Sequence, residues 1–600
     1  MQTEHSPIAI DIRNYVIHTD DGISRALILT QPEDLEVAKG LFSTTPIIAW
    51  AQHEALRYVR DTFGLPWPQR YIDLEGVMRF LYPGVTQVLE AYRIKNREPR
   101  NNADRVWSIW KNYKDQIPKV ELDQILETGL VNGITLAVDT DRAAAAIPLL
   151  YEEQHKLTDH LNELYPLKAQ VGELPEELRH RLSVVTGLRC AHADDIEPRA
   201  WLNPMAADAL KTIHRLSSLL DGKRRLNAIV GHPDGIPFNY TYASAATLRW
   251  SCRGTHAGDV NLLALPKSNR LVGEPIRKSI QVPEGWSIVA GDLAQVDYRG
   301  LGYLAGCDHV INTFSKDPFA DPYLAYWRKV TGQDVDKDSP ARKVAKAQVL
   351  SAMYLQGVRG ACTRFVEAGI TEEMAADIVA STGWRYEDVE GECEYAEAAG
   401  HTVAHQTLVA NARREFLSLH HEIVALVDHI SHTAVGLCMN TDEAHRAAAL
   451  SNSSPNVRTP FIRMAATKVD ENHVDIGFRI GPEGDEWNYA ALKWLSVAYD
   501  NRQLTYLKDG RRTRLTRSVI CNNIGQCFSR QLMVNGMRNF RLAAKFPCVL
   551  PAIHDQALVI CPTENTEEAS ALLASCFDPH KTWWACMPDP IAVTQDFDLP

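Results

Sequence analysis

Two short segments, far apart in the chain, each set an aspartate where an apolar run stops. The first reads Ser287-Ile288-Val289-Ala290-Gly291-Asp292 and continues Leu293-Ala294-Gln295-Val296-Asp297-Tyr298-Arg299. The second reads Val549-Leu550-Pro551-Ala552-Ile553-His554-Asp555-Gln556-Ala557-Leu558-Val559-Ile560. Between them Arg342, Lys346, Leu350 and Tyr354 recur at four-residue steps. On a helix such steps rotate by about 40° each, which keeps all four near one face over roughly 18 Å. Two carboxylates and a cationic helix are the parts of a metal-dependent phosphoryl transfer: divalent ions bridge the reacting oxygens and the cations neutralise a triphosphate. Each piece alone has a plainer reading, as a turn or cap aspartate or as the basic surface of an amphipathic helix. Their joint occurrence favours the chemistry.

The elements that must position these residues are legible in outline. Residues 8–135 read as α/β, with buried strands at Ile8–Ile12, Arg25–Leu29 and Thr45–Trp50 separated by polar helical patterns. Residues 141–230 are helical, with apolar spacing at Leu150, Leu157 and Leu161. A strand is expected over Trp286–Ala290, a long helical region over about 340–450 after a break at Thr331-Gly332, and a hairpin at Pro547–Cys561 within a mixed segment 485–600.

At 600 residues the chain is too long for one core, and three to five structural units are expected. With 45% hydrophobic and 23% charged residues it is ordinary for a soluble globular protein. A net charge of −12 runs against an overall basic nucleic-acid binder, but recognition depends on local patches. Two such patches occur, Lys223-Arg224-Arg225 and Lys508 with Arg511, Arg512, Arg514 and Arg517. The twelve cysteines form no CxxC pair, which argues against zinc and against a disulfide framework and for reduced thiols in the cytoplasm. The start, Met1 to Pro7, has no secretory pattern, and no apolar run of about 18 residues is present, so no membrane partner is expected.

The motifs resemble, in order and spacing over most of residues 240–600, those of family A DNA polymerases, the class of bacterial DNA polymerase I, with the phage-encoded branch nearest. Asp292 to Arg299 is similar to that family's Asp-Tyr-Ser-Gln-Ile-Glu-Leu-Arg, and His554-Asp555-Gln556 to its His-Asp-Glu. The resemblance implies two Mg²⁺ ions held by Asp292, Asp555 and the Leu293 carbonyl, with His554 alongside. It implies triphosphate contacts from Arg342 and Lys346, the latter also able to protonate the leaving pyrophosphate. Leu350 would pack on the sugar and base and Tyr354 beside the new base pair, with Gln295 and Asp297 also in the nucleotide site. Thr247-Leu248-Arg249-Trp250-Ser251, Asn261 to Pro266, and the Asn522/Gln526 pair resemble the segments that follow the primer end, with Arg249, Asn522 and Gln526 as DNA contacts. Four departures stand out: Asp297 for Glu, Leu350 for an aromatic, Gln556 for Glu, and Leu248 for Gly. Ala264 also replaces an Asn of the family pattern.

Residues 8–125 resemble, more weakly, the 3′–5′ exonuclease domain that precedes the polymerase. The reading Asp11-Ile12-Arg13, the alignment of Arg57 with a second carboxylate, and Lys111 four residues before Asp115 imply a domain in which arginines repel metals. The fold expected is therefore α/β and multidomain: an RNase H-like exonuclease-type domain over 1–125, a helical thumb over 126–240, a palm over 241–339 and 485–600, and fingers over 340–484. The function expected is template-directed DNA synthesis without proofreading, on primer-template DNA with deoxynucleoside triphosphates, in the cytoplasm (of a bacterial host, if phage-encoded). A processivity or replisome partner is compatible with the acidic balance, and the acidic stretch within 361–400 reads as a solvent-facing insertion. The rival readings are a single-subunit RNA polymerase, disfavoured by Asp297, and a catalytically silent DNA-binding scaffold.

Overall fold

The computed structural model describes residues 7–13, 16–20, 25–82, 103–192, 196, 199–200, 203–245, 247–252, 260–266, 271–398, 401–439, 448–450, 462–480, 490–508, 511–553, 555–577 and 591–596. His554 and residues 1–6 of the N-terminal segment lie outside them. The architecture is mixed α/β.

The first unit is a five-stranded sheet with the spatial order Arg25–Ile28, Val16–Asp20, Ile8–Arg13, Ile47–Ala49, Tyr71–Asp73. The first three strands are antiparallel neighbours and the last two join in parallel. Parallel pairing needs crossovers, supplied by the helices Pro32–Thr44 and His53–Phe63. Val16–Asp20 and Tyr71–Asp73 carry no motif the sequence singles out. The long helices Thr140–Leu164 and Pro204–Val230 pack together around Leu150, Leu161 and Leu226.

A four-stranded antiparallel sheet forms the centre of the molecule, in the order Ala552–Ile553, Gln556–Pro562, Trp286–Leu293, Ile591–Asp596. Trp286–Leu293 has neighbours on both sides, and Ser287 through Gly291 are all buried. A strand enclosed in this way needs an unbroken run such as Ile288-Val289-Ala290, which is why the segment reads as apolar rather than alternating. The helices Arg517–Ala543 and Thr566–Cys576 pack on it, and Val296–Ala305 packs on the first of these.

Helices then run from Asp308–Lys316 to His421–Met439. Gly332, in a left-handed conformation, closes Pro322–Thr331 at the break read from sequence. Among the described residues the last helix of this region is His421–Met439, and Ala448–Leu450 is already a strand. A six-stranded antiparallel meander follows, from Ala448–Leu450 to Arg511–Arg514. His421–Met439 is long and apolar enough to cross a membrane by length and composition, contrary to the expectation that no such run exists. It carries Glu422 and Asp428, buries Ile423, Val427, Ile430 and Ala434, and packs on Val296–Ala305 and Arg517–Ala543. The basic run at 223–225 sits on a helix where Arg224 and Arg225 pair with Asp221.

Candidate active site

The register of the central sheet brings the two aspartates together. Asp292 faces Gln556 across the strand pair and Gly291 faces Ala557, so Asp555 stands one position past the last pair, opposite Leu293 in the hairpin turn. The Leu293 N–H donates to the Asp555 carbonyl at 3.0 Å, which closes the hairpin against the strand end. Burial, and then the negative charge of Asp555, push the Asp292 carboxyl up to about 6 from an ordinary 3.8. Two carboxylates whose charges oppose one another are relieved by a divalent cation, and oxygen donors suit Mg²⁺. The donor set fits such an ion, although among the described residues no group of three or more His, Cys, Asp or Glu converges. Gln556 adds no third charge, and the place of His554 is not described.

Asp297 is the centre of a second group. It stands on the first turn of Val296–Ala305, where one carboxylate oxygen accepts from Arg249 at 2.8 Å and the other from the Tyr354 hydroxyl at 2.9 Å. Burial and then Asp297 raise the Tyr354 phenol well above its usual value, and the Gln526 side chain bonds to the same hydroxyl. Asn522 stands one turn before Gln526 on the helix Arg517–Ala543, and both are half-buried. Gln295, just before Val296, is exposed with φ +50° and lies 3.4 Å from an Arg299 guanidinium nitrogen. Leu248, where the family pattern has Gly, keeps the left-handed backbone at φ +64° while its side chain is buried. That conformation costs a non-glycine residue roughly 1–2 kcal/mol, so the backbone here takes a glycine-like turn despite its branched side chain. Asn261 caps a short 3₁₀ turn at Leu262–Ala264.

The cationic helix is Pro340–Ala352, started by Ser339, whose hydroxyl accepts from the Arg342 N–H, and by Pro340 in the first turn. Val344, Ala345, Gln348 and Val349 are buried, whereas Lys346 and Leu350 are exposed. The expectation of four residues on one helix face holds for three. The helix ends at Ala352, and Tyr354 lies in the turn beyond it, where Leu355 has φ +52°. That turn carries Tyr354 to Asp297, so the helix ends on the segment that bears Asp292. Arg342 donates through Nε and a terminal nitrogen to Asp321 at 2.8 and 2.6 Å. Tyr323 lies near both cations, 5.6 Å from Arg342 and 6.0 Å from Lys346. Asp321 and Tyr323 were not singled out from sequence. Asp321-Pro322 is a recognisable helix start, and Asp321 does cap Pro322–Thr331, but its pairing with Arg342 is tertiary.

In the N-terminal sheet every described acidic group near the strand ends has a partner. Asp11 is buried, accepts from the Gln52 amide at 2.7 Å and pairs with Arg13 at 2.7 Å. Asp73 accepts from the Ala51 and Glu75 N–H groups at 2.9 and 3.0 Å and sits 3.3 Å from His53. Burial raises its carboxyl, but the bonds from His53 and the backbone more than offset this and hold it low. Arg57 differs from its expected place. It donates to the carbonyls of Asn132 and Phe238 at 3.0 and 3.1 Å, joining this sheet to later segments rather than reversing charge beside Asp11. Asp115 is exposed on Lys114–Gln116, and Lys111 rests 5.6 Å from the Trp107 ring.

No family model matches the chain. Over 195 residues it is 29% identical to DNA polymerase I of Chloroflexus aurantiacus (strain ATCC 29366 / DSM 635 / J-10-fl), a match spanning 31% of this chain and 19% of that relative. The whole fold is shared with the polymerase domain of Pol1 from M. smegmatis in complex with DNA primer-template and dNTP. There the TM-score is 0.63 at 15% identity, covering 99% of this chain and 95% of that one.

Proposed function

We propose that this chain, similar in sequence to DNA polymerase I and sharing the fold of a Pol1 polymerase domain, is a family A, template-directed DNA polymerase extending a primer 3′ end with deoxynucleotides. The observation that carries this reading is the pair Asp292 and Asp555, 263 positions apart (555 − 292), one near a strand end and the other in the hairpin turn beside it, where its charge acts on the Asp292 carboxyl. Two Mg²⁺ ions, held by Asp292, Asp555 and the Leu293 carbonyl, would activate the primer hydroxyl and stabilise the leaving pyrophosphate.

The side chains do the positioning. Arg342 and Lys346 neutralise the triphosphate, with Lys346 holding a proton for the departing oxygen. Arg342 exchanges its bond to Asp321 for one to phosphate. Leu350 packs on sugar and base, and Tyr354 on the nascent pair. Every Watson–Crick pair offers minor-groove acceptors at purine N3 and pyrimidine O2, so donors such as Arg249 and Gln526 test pair shape without reading sequence. Asp297 would meet a ribose 2′-hydroxyl, and a carboxylate one methylene shorter than Glu would exclude ribonucleotides less strongly.

The sheet order of residues 8–73 supports reading the N-terminal unit as RNase H-like, and its partnered acids support a lack of proofreading. Thumb, palm and fingers are assigned as read from sequence, except that the helix Lys119–Val131 spans the boundary at 125/126. The site of action is the cytoplasm, where the DNA template is. Primer extension on a defined template, with deoxy- and ribonucleotides in parallel, tests the reading. Magnesium-dependent deoxynucleotide incorporation lost in Asp292→Ala supports it. Preferred ribonucleotide incorporation selects an RNA polymerase, and no incorporation selects a scaffold.

A further inference from the structure

The residues that face the primer end are tied to a helix that no motif marks. Lys119–Val131 lies against Arg517–Ala543 through three ion pairs: Glu121 with Arg530 at 2.8 Å, Asp123 with Arg538 at 3.5 Å, and Glu127 with Arg541 at 2.8 Å. Glu121 and Arg530 are wholly enclosed, with side chains 0% and 1% exposed. Arg530 donates to both Glu121 oxygens, at 2.9 and 2.8 Å, and the Tyr242 hydroxyl bonds to both partners.

The same guanidinium lies 5.1 Å from the Tyr242 ring and 5.4 Å from the Trp250 ring. Trp250 is held from a second side, because its indole N–H donates to the Thr128 hydroxyl at 3.0 Å. That hydroxyl in turn donates to the Gln124 carbonyl at 2.8 Å. Trp250 is the residue after Arg249, and Arg530 stands one turn beyond Gln526. One helix thus fixes both the residue beside Arg249 and the turn beside Gln526.

A buried ion pair is weak evidence for stability, since apolar residues of the same volume serve as well. What the pair supplies is a fixed geometry, and side chains that compare base-pair shapes must be held within about 0.5 Å. We infer that Glu121 and Thr128 are positioning residues for inspection of the primer terminus, acting through Trp250 and Arg530 on Arg249 and Gln526. They touch neither DNA nor nucleotide. The inference rests on the polymerase reading above.

The test measures single-nucleotide incorporation from matched and mismatched primer ends, with melting temperature recorded alongside. The proteins are wild type, Thr128→Val, Thr128→Ser and Glu121→Gln. Thr128→Val keeps the shape and removes the acceptor for the indole. It is expected to lower kcat/KM on matched ends about tenfold and on mismatched ends less, short of the ~10²-fold that a 1 Å misplacement can cost. The matched-to-mismatched ratio therefore falls. Thr128→Ser, which keeps the hydroxyl, retains the wild-type ratio, and Glu121→Gln shifts it in the same direction as Thr128→Val. If Glu121→Gln does not fold, the two Thr128 variants decide. A wild-type ratio in Thr128→Val, whatever its melting temperature, overturns the inference while leaving the polymerase reading intact. A wild-type protein that extends no primer ends both.

Discussion

The two sheets make the same local move and reach opposite electrostatic ends. In each, a strand flanked on both sides carries an aspartate at or near its C-terminal end: Asp11 on Ile8–Arg13 and Asp292 on Trp286–Leu293. Around Asp11 the chain supplies Arg13 and Gln52, and around Asp73 it supplies His53 and two backbone donors. Around Asp292 it supplies a second carboxylate, and the acid is pushed up to about 6. A strand-end aspartate becomes a candidate metal ligand only when the fold leaves its charge unmet; where the fold meets that charge, the residue is structural.

The strongest way to break this contrast is to neutralise each acid in turn. Asp292→Asn or Asp555→Asn is expected to lower primer extension by about 10³-fold or more, the scale on which transition-state charge stabilisation is lost. Asp11→Asn is expected to change it by less than about twofold, because Asp11 is buried and partnered within the other sheet. Neither the wild type nor Asp11→Asn should trim primer 3′ ends, and metal-dependent trimming abolished by Asp11→Ala would erase the distinction. The arginines give the next effect. Arg13 and Arg342 both pair with an aspartate, yet only Arg342→Ala should raise the KM for nucleotide, by about 10- to 100-fold for a lost charge-assisted contact. Steady-state kinetics at saturating DNA measure this, and equal effects of the two would make the pairings equivalent.

Asp297→Glu sharpens the comparison on the helix that follows the Asp292 strand. Restoring one methylene should shift the ribo/deoxy incorporation ratio about tenfold toward deoxynucleotides. An unchanged ratio would remove the short side chain from nucleotide selection.

The smallest expected effect is on stability, and its sign differs between the sheets. The Asp292 carboxyl titrates at about 6 in the fold against an ordinary 3.8, so the folded state holds the proton more tightly. Its contribution to stability therefore falls as pH rises from about 4 to 6. Metal-free Asp292→Asn should melt about 2–4 °C above wild type at pH 7.5, with a smaller gain at pH 5. Asp73 is held below its ordinary value, so Asp73→Asn should destabilise at pH 7.5 by about 1–3 kcal/mol, an effect lost as pH falls through the folded value. Calorimetry at pH 7.5 and 5 checks the two opposite signs, and a scan below pH 3.8 checks the loss of the Asp73 effect.

Legibility followed sequence distance. The run Asp292 to Arg299 could be read because its spacing is local, and the hairpin bearing Asp555 because its turn lies between two apolar runs. The meander carries a local signal, since Val474–Ile480 alternates apolar residues with Asp475, Gly477 and Arg479 along its length. Tyr354 keeps the i+4 spacing of the cationic helix, yet that helix ends two residues earlier, because such spacing does not mark where a helix stops. Arg57 aligns in sequence with a reversed charge near Asp11, and no local pattern sends it to carbonyls 75 and 181 positions away.

By itself, the sequence determined which residue types were available and which short elements would carry them: two aspartates at strand ends, cations at helical spacing, donors one turn apart. Only the tertiary structure decided which of those charges are answered. Propensity and hydrophobic period act over a few bonds, whereas Coulomb interaction and desolvation depend on distance through space, and folding sets that distance without regard to position in the chain. Asp292 has its opposing charge 263 positions away (555 − 292) and Asp11 has its neutralising one two positions away, a difference the chain order alone does not express.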